Sequence, residues 1–413
     1  MTSPSFRRSV CRFCGGPNLE LVLPLTPTAL ADAYVPASRV HETQDVFPLD
    51  LYLCRDCGGA QLLDVVIPQV IYVDYIYETK SSLGLVDHFK RYAADVVARI
   101  APAPGGLVVD LGSNDGSLLG FFKQHGMRVL GVDPAQAIAA DATARGIETL
   151  PVFFDAAESA RIRQEYGPAA IVTANNVFAN VDDMDAFAGA IRGLLAPDGV
   201  FVFESFYLVD WMQHMVFDFT YHEHLSYFSV KPMQAFFRRH GMQLINAQRV
   251  PTKGGSVRYT AKLAGAARAV DPSVGELIAL EQKLGVHQAA AFKTFAATIE
   301  KKKQDLLNVL RPLQAGGLTI AGYGASATTT TLVYHYQLGD MLRFIADDYT
   351  AKQHLFSPGH HIPVLPPEAL YTEKPDYVVI LAWRYWEPIV RQHQRYLDLG
   401  GRFIVPLPDV QVI

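Results

Sequence analysis

The stretch Val108-Val109-Asp110-Leu111-Gly112-Ser113-Asn114-Asp115-Gly116-Ser117 carries the strongest information about the fold. An apolar run ends on an acidic side chain, crosses two glycines and opens into a helical pattern. Glycines at 112 and 116 let the backbone approach a ligand closely, with the Asp110 carboxylate at the end of the strand. A second apolar run ends in Gly131-Val132-Asp133-Pro134. Asp133 lies 23 residues beyond Asp110, a spacing at which an acid can take both hydroxyls of a ribose. Working outward, strands are expected over Leu107 to Asp110, Arg128 to Val132, Ala170 to Ala174 and Val200 to Glu204, with helical stretches between them. That alternation implies parallel βαβ units, a sheet covered on both faces and a ligand at the carboxyl ends of its strands.

The chain has 413 residues, which argues for two to three domains. Half of the residues are hydrophobic and 19% are charged, so sizeable cores are available and wholesale disorder is excluded. Lys+Arg 36 against Asp+Glu 41 gives a net charge of −5, a poor balance for a nucleic-acid binder. No apolar run approaches the ~18–20 residues of a membrane span. Met1 to Arg8 leads straight to Cys11 without a signal-peptide core. The expectation is a cytoplasmic protein, monomer or homodimer, acting on a small molecule, with no nucleic-acid or membrane partner.

Cys11, Cys14, Cys54 and Cys57 are the four cysteines, two Cys-x-x-Cys pairs separated by 39 residues. Thiolates so spaced can close a tetrahedral shell around Zn²⁺, each pair on a tight turn followed by two glycines. Two disulfides are the alternative, disfavoured in the cytoplasm. A Cys₄ shell leaves no open position, so this metal builds structure and performs no chemistry. Residues 1–70 are therefore expected to form a small zinc-binding domain, with strands over Leu49 to Leu53 and Gln61 to Val65.

A tyrosine-rich connector over 72–82 leads into a helical pattern from Leu85 to Ile100, within a domain expected to span 71–270. A helical linker (Pro272 to Leu310) and a second α/β pattern make up 271–413. The Lys301-Lys302-Lys303 run in the linker reads as a solvated face. Strands are expected over Leu318 to Gly322, Arg343 to Ala346, Tyr377 to Trp383 and Arg402 to Pro406. Gly322-Tyr323-Gly324-Ala325-Ser326-Ala327 fits Gly-x-Gly-x-x-Ala after a strand, with Asp347-Asp348 ending the next. The preferred reading is a loop that cradles substrate phosphates at a helix N-terminus; a fold relic without a ligand is the alternative. Asp348, Lys352 and Trp383-Arg384 stand near strand ends, as base contacts or as ordinary surface.

Thr220-Tyr221-His222-Glu223-His224-Leu225-Ser226-Tyr227-Phe228-Ser229 is the densest group of titratable and hydroxyl side chains. His-Glu-His could ligate a metal, but alternating residues supply at most two imidazoles on one side. Tyr227 and Phe228 read as core. The remaining possibility is a base and binding cluster, in which a histidine of suitable pKa abstracts a proton near neutrality.

The loop at 110–116, with Asp133, resembles the S-adenosylmethionine (SAM) site of class I methyltransferases. There Asp110, Gly112, Asn114, Asp115, Gly116, Asp133 and Pro134 would line the cofactor, and Asp155, Asn175 and Asn176 would reach its adenine and methionine ends. The motif order resembles a family as a whole: the cysteine pairs, Asp-Leu-Gly-Ser-Asn-Asp-Gly, Tyr-His-Glu-His-Leu-Ser-Tyr, Gly-Gly-Ser-Val-Arg-Tyr (254–259), Gly-Tyr-Gly-Ala (322–325) and Pro-Gly-His-His-Ile-Pro-Val-Leu-Pro-Pro-Glu (358–368). This succession is similar to the deoxysugar C-methyltransferases, which methylate C3 of 4-keto nucleotide sugars. The resemblance implies an α/β architecture: an N-terminal zinc domain, a central class I SAM-binding domain and a C-terminal Rossmann-like domain that helps to hold the nucleotide sugar.

It further implies His224 as the base for the C3 proton, Tyr221 and Glu223 as positioning neighbours, His222 beside them, and Tyr77 or Tyr75 closing over the site. Lys253, Gly254, Ser256 and Arg258 fall on the substrate side, as do Tyr323, Gly324, Ala325, Ser326, Asp348 and Lys352. The chain departs from the family in three places. Asn180 and Lys253 stand where relatives carry histidine, and no lysine follows Gly-Tyr-Gly-Ala. Asn180 can hydrogen-bond a sugar or an enolate but cannot titrate. The implied function is SAM-dependent C-methylation; O- or N-methylation of a sugar scaffold and a non-catalytic binding module are the alternatives.

Overall fold

The computed structural model describes residues 4–71 and 84–413. Its central sheet has seven strands. From one edge they run Thr149–Leu150, Arg128–Val132, Leu107–Leu111, Ala169–Thr173, Leu195–Phe206, Ser256–Leu263 and Met242–Val250. In chain order this is 3-2-1-4-5-7-6, with Ser256–Leu263 antiparallel to both its neighbours and the first five strands parallel. Strand order reverses beside Leu107–Leu111, which puts the Asp110–Gly116 loop at the switch point where open α/β sheets bind ligands. Leu107–Leu111 is buried at every position, as a strand covered on both faces must be. This is the class I methyltransferase architecture expected from the alternation of strands and helices.

The helix Leu85–Ile100 covers one face. Leu85, Phe89, Tyr92, Ala93, Val96 and Ile100 recur at spacings of three and four, so one stripe enters the core. The linker forms two helices, Ser273–Leu284 and Ala289–Ala315. Its lysine run is solvated only in part: Lys301 is exposed, while Lys302 pairs with Asp409 and Lys303 with Glu300.

A second sheet of six strands closes the chain, in the order Val364–Leu365, Ile345–Ala346, Ile320–Tyr323, Tyr377–Ile380, Arg402–Val405, Gln411–Val412. The strand expected to reach Trp383 stops at Ile380, because Trp383–Tyr385 turns as a 3₁₀ helix.

The N-terminal module is joined to both sheets' domains. Its four-stranded sheet runs Ser226–Tyr227, Ala60–Leu62, Leu51–Cys54, Leu19–Leu23, so the segment after His224 supplies the edge strand. The strand expected over Gln61 to Val65 is two, Ala60–Leu62 and Asp64–Val66, the latter pairing with Ser5–Arg7. Val35–Pro36 pairs with Leu355–Phe356. Among the described residues no helix is long and apolar enough to cross a membrane.

Candidate active site

The glycine loop is shaped by close approach. Gly112 has φ +68°, and a Cβ there would lie 2.4 Å from Val177 Cγ2. Asp133 braces the loop from the neighbouring strand: its carboxylate accepts from the N–H groups of Asn114 (2.8 Å) and Ala135 (2.9 Å), across Pro134. Asp110 is buried and accepts from Thr173 Oγ1 at 2.6 Å. Burial pushes its carboxyl up to about 7, against the Thr173 hydrogen bond and with help from Asp133. Burial also raises Asp133. Carboxylates held out of water favour a cationic ligand, whose charge stabilises their ionised forms. Asp115 is buried, its side chain accepting from Ser117 N–H at 3.1 Å, and Gly116 caps the following helix at φ +74°.

Asn175 and Asn176 tie two strand ends together. Asn175 Oδ1 accepts from Glu204 N–H (2.9 Å), and Asn176 N–H donates to the Glu204 carbonyl (2.8 Å). The exposed Asp155 is the N-cap of helix Ala156–Tyr166, accepting from Glu158 N–H at 2.9 Å. Its expected cofactor contact therefore competes with a capping role.

Tyr221 to His224 is a turn, closed by His224 N–H donating to the Tyr221 carbonyl at 2.9 Å. The two histidines consequently part company instead of sharing a face. The buried His222 directs Nε2 to the Phe47 carbonyl (3.2 Å) of the N-terminal module. Burial lowers its pKa to about 4. His224 directs Nδ1 to the Phe219 carbonyl at 2.8 Å. A carbonyl only accepts, so the proton sits on Nδ1 and Nε2 keeps its lone pair. The ring packs against Tyr221 (centroids 4.1 Å apart) and Phe206 (4.9 Å). Burial lowers its pKa to about 3, despite the Phe219 hydrogen bond and assisted by the charge of Lys253. Burial thus favours the neutral ring of His224 and moves its titration below the neutral range expected for it. Burial raises Glu223 to about 8, Asp32 adding to the rise and Lys253 and Lys352 opposing it. That rise favours the protonated carboxyl near neutrality.

Asn180 ends the 3₁₀ turn Phe178–Asn180, whose Ala179 carbonyl accepts from Leu225 N–H at 2.9 Å. The turn is thereby fixed to the residue after His224. Tyr75 and Tyr77 lie outside the described residues.

The sulfur atoms of Cys11, Cys14, Cys54 and Cys57 all lie within 4.8 Å of one another, the one such metal-binding group among the described residues. Backbone N–H groups of Phe13, Gly16 and Gly59 point at three of the sulfurs, at 3.3–3.4 Å. The Gln61 amide points at Cys11 Sγ at 3.0 Å. Donors aimed at sulfur stabilise thiolates, and four thiolates fit tetrahedral Zn²⁺. No disulfide links them.

Several expected substrate contacts are occupied internally. Arg258 is buried between Glu204 and Asp95 (2.7 Å each) and lies over the Tyr92 ring. Ser256 Oγ donates to the Thr252 carbonyl, and Gly254 offers its carbonyl to His214. Lys253 sits in the turn Thr252–Gly254 with φ 53°. The second glycine loop is not an open phosphate cradle. Ala325 N–H donates to Asp347 Oδ2 at 2.5 Å, and Ser326 and Thr329 close a reciprocal capping box at the helix start. A Cβ on Gly324 would lie 2.4 Å from that of Ala382, so this glycine serves packing. The Tyr323 hydroxyl joins Asp348 (2.8 Å) and His393 (2.9 Å) in one network. Lys352 Nζ donates to Asp32 (2.6 Å) and to the Ala325 carbonyl (2.8 Å).

Comparison with known proteins supplies the family. The chain is 35% identical over 404 residues to C-methyltransferase NovU of Streptomyces niveus, covering 98% of this chain and 96% of that one. The chain belongs to the C-methyltransferase family. Family models match throughout: "Putative zinc binding domain" over 11–72, "Methyltransferase domain" over 86–247 and "C-methyltransferase C-terminal domain" over 251–408. Among solved structures, an S-adenosylmethionine-dependent methyltransferase from Clostridium acetobutylicum aligns at 13% identity and TM-score 0.35, covering 48% of this chain and 96% of that one. Magnesium protoporphyrin IX methyltransferase from Synechocystis aligns at 16% identity and TM-score 0.33, covering 47% and 88%.

This C-methyltransferase is SAM-dependent, and its zinc-binding domain presents four cysteines close enough together to hold the metal. Asp133→Ala should remove the bond from Asn114 N–H that braces the glycine loop, together with the local turn bond from Ala135 N–H. One charge-assisted hydrogen bond contributes about 1.5–3 kcal/mol, so losing the bond to the loop should lower SAM affinity by about 10–10²-fold in calorimetry. Unchanged affinity would place the cofactor elsewhere. The sequence does not single out Asp32 or Phe219: Asp32 reaches Lys352 across a long chain separation, and Phe219 meets His224 through its carbonyl, which every residue possesses.

Proposed function

We propose that the protein methylates C3 of a 4-keto, nucleotide-linked deoxysugar, with His224 removing the C3 proton. The hydrogen bond from His224 Nδ1 to the Phe219 carbonyl supports this reading, because it leaves Nε2 of a buried, fixed ring as an unprotonated acceptor. SAM supplies an electrophilic methyl group when bound. A proton alpha to a ketone is acidic enough for an imidazole once the enolate oxygen is stabilised. Glu223, protonated near neutrality, is the donor we assign to that oxygen, with Lys253 contributing positive charge.

A base with a pKa of about 3 is weak in the empty site. Imidazolium and enolate form together, however, and opposite charges about 4 Å apart at an effective dielectric of about 20 attract by about 4 kcal/mol. That equals about three pKa units and returns the base to a useful range. The C3–H pair becomes the new C–C bond as the sulfur–methyl bond breaks, and the proton on Nε2 leaves to solvent. The four clustered thiols suit a reducing compartment, so we place the enzyme in the cytoplasm, as a monomer or homodimer.

Protein, SAM and a panel of 4-keto sugar nucleotides should yield a product whose new methyl is bonded to C3, located by NMR. A methyl on oxygen or nitrogen, or on C5, the other carbon alpha to the ketone, would overturn the assignment.

A further inference from the structure

We propose that Arg12, seated inside the first zinc knuckle, is a positioning residue that fixes the backbone next to His224, so that the metal site sets the geometry of the base. The proposal rests on the reading of His224 as that base.

The contacts run from Cys11 of the zinc site through Gln61 and Arg12 to the residue after His224. Arg12 lies between two of the four cysteines, and its side chain is wholly buried. Its backbone N–H donates to Gln61 Oε1 (2.9 Å), while the Gln61 amide nitrogen points at Cys11 Sγ (3.0 Å). The guanidinium donates to the carbonyls of Leu62 and Leu225 (3.4 Å for the latter) and, through Nε, to Asp182 Oδ1 at 3.0 Å.

Leu225 is the residue after His224, and its backbone is held at both ends. Its carbonyl accepts from Leu62 N–H at 2.9 Å as well as from Arg12, and its N–H donates to Ala179. Gln61 also stands opposite Ser226 in the strand pairing. Phe13, the next residue of the knuckle, packs edge-on against Phe228 with centroids 5.9 Å apart.

A buried cation is costly unless its donors are matched. Here Nε meets the Asp182 carboxylate and Nη1 two carbonyls, from three chain segments, while Nη2 is buried without a partner among the described residues, so displacing any of the three leaves still more of the cation unmatched. Only a planar fork reaches all three; the single ammonium of lysine cannot. A solely structural arginine needs none of its partners to be the neighbour of the base, whereas a positioning one does.

The test uses the full chain with zinc, labelled with ¹⁵N-histidine, the His224 signal being identified by its loss in His224→Gln. Arg12→Lys should retain zinc by elemental analysis, shift the His224 ring signals, and slow exchange of the substrate C3 hydrogen in D₂O. Misplacement by about 1 Å costs about 10²-fold, so kcat and exchange should fall by about that factor while KM and SAM affinity stay nearly constant. A purely structural role would lower all of these together with the folded fraction.

Zinc retained, ring signals unmoved and exchange at the parental rate would overturn the proposal. If Arg12→Lys does not fold, Asp182→Asn decides: it should shift the same signals, and their constancy overturns the coupling. A parent enzyme that catalyses no exchange, while its Arg12 variant still moves the His224 signal, overturns the function and leaves the positioning role standing.

Discussion

Replacing His224 with alanine should lower methyl transfer by about 10²–10⁴-fold, the contribution of a positioned general base. SAM affinity should be nearly unchanged, because Asp110 and Asp133, around which the cofactor contacts are expected, lie on other strand ends. The same variant should lose C3 hydrogen exchange in D₂O when S-adenosylhomocysteine is bound, which isolates the proton step from methyl transfer. His222→Ala should act differently. Its imidazole faces the Phe47 carbonyl, so the cost should appear in thermal stability and leave kcat largely intact. Equal, mild losses in both variants would move the base to another group, a connector tyrosine first.

The pH profile adds an independent check. His224 is unprotonated above about 3, so it contributes no acid limb in the working range. Glu223 must keep its proton to donate, so kcat/KM should decline as pH rises through about 8. Glu223→Gln should flatten that limb, since an amide donates without titrating. A limb that persists in this variant belongs to another group.

Local spacing explains what the sequence revealed. Asp110, the two loop glycines and Asp133 are read within one βαβ unit, and the cysteine pairs within two tight turns, so geometry follows from a few residues. The second glycine loop misleads for a physical reason. Gly-x-Gly-x-x-Ala records where backbone N–H groups gather but not what meets them, and here Asp347 and Thr329 do. The histidine pair misleads in a related way, because one turn hydrogen bond between residues 221 and 224 separates side chains that an extended chain would align. Contacts such as Asp32 with Lys352 join residues 320 positions apart, and no local pattern announces them.

Removing one zinc ligand should produce the largest change in stability. Structural zinc contributes an apparent ~10–16 kcal/mol, as much as or more than the ~5–15 kcal/mol that holds a typical domain folded. Cys54→Ser removes a buried thiolate from the end of the strand Leu51–Cys54, whose partners are Ala60–Leu62 and Leu19–Leu23. Without the metal, two knuckles must hold the module through a sheet of strands only two to five residues long. The variant should bind less than one zinc per chain and unfold at a markedly lower temperature, with a separate early transition for the module. Because Ser226–Tyr227 is the outer strand of that sheet, the early transition should also carry away catalytic activity, while calorimetry still detects SAM binding to the central sheet. A chelator that strips zinc from the unmodified protein should reproduce both effects, and added Zn²⁺ should reverse them. If Cys54→Ser keeps a full zinc, or loses it without a shift in unfolding temperature, the four sulfurs do not form the site that holds the module together.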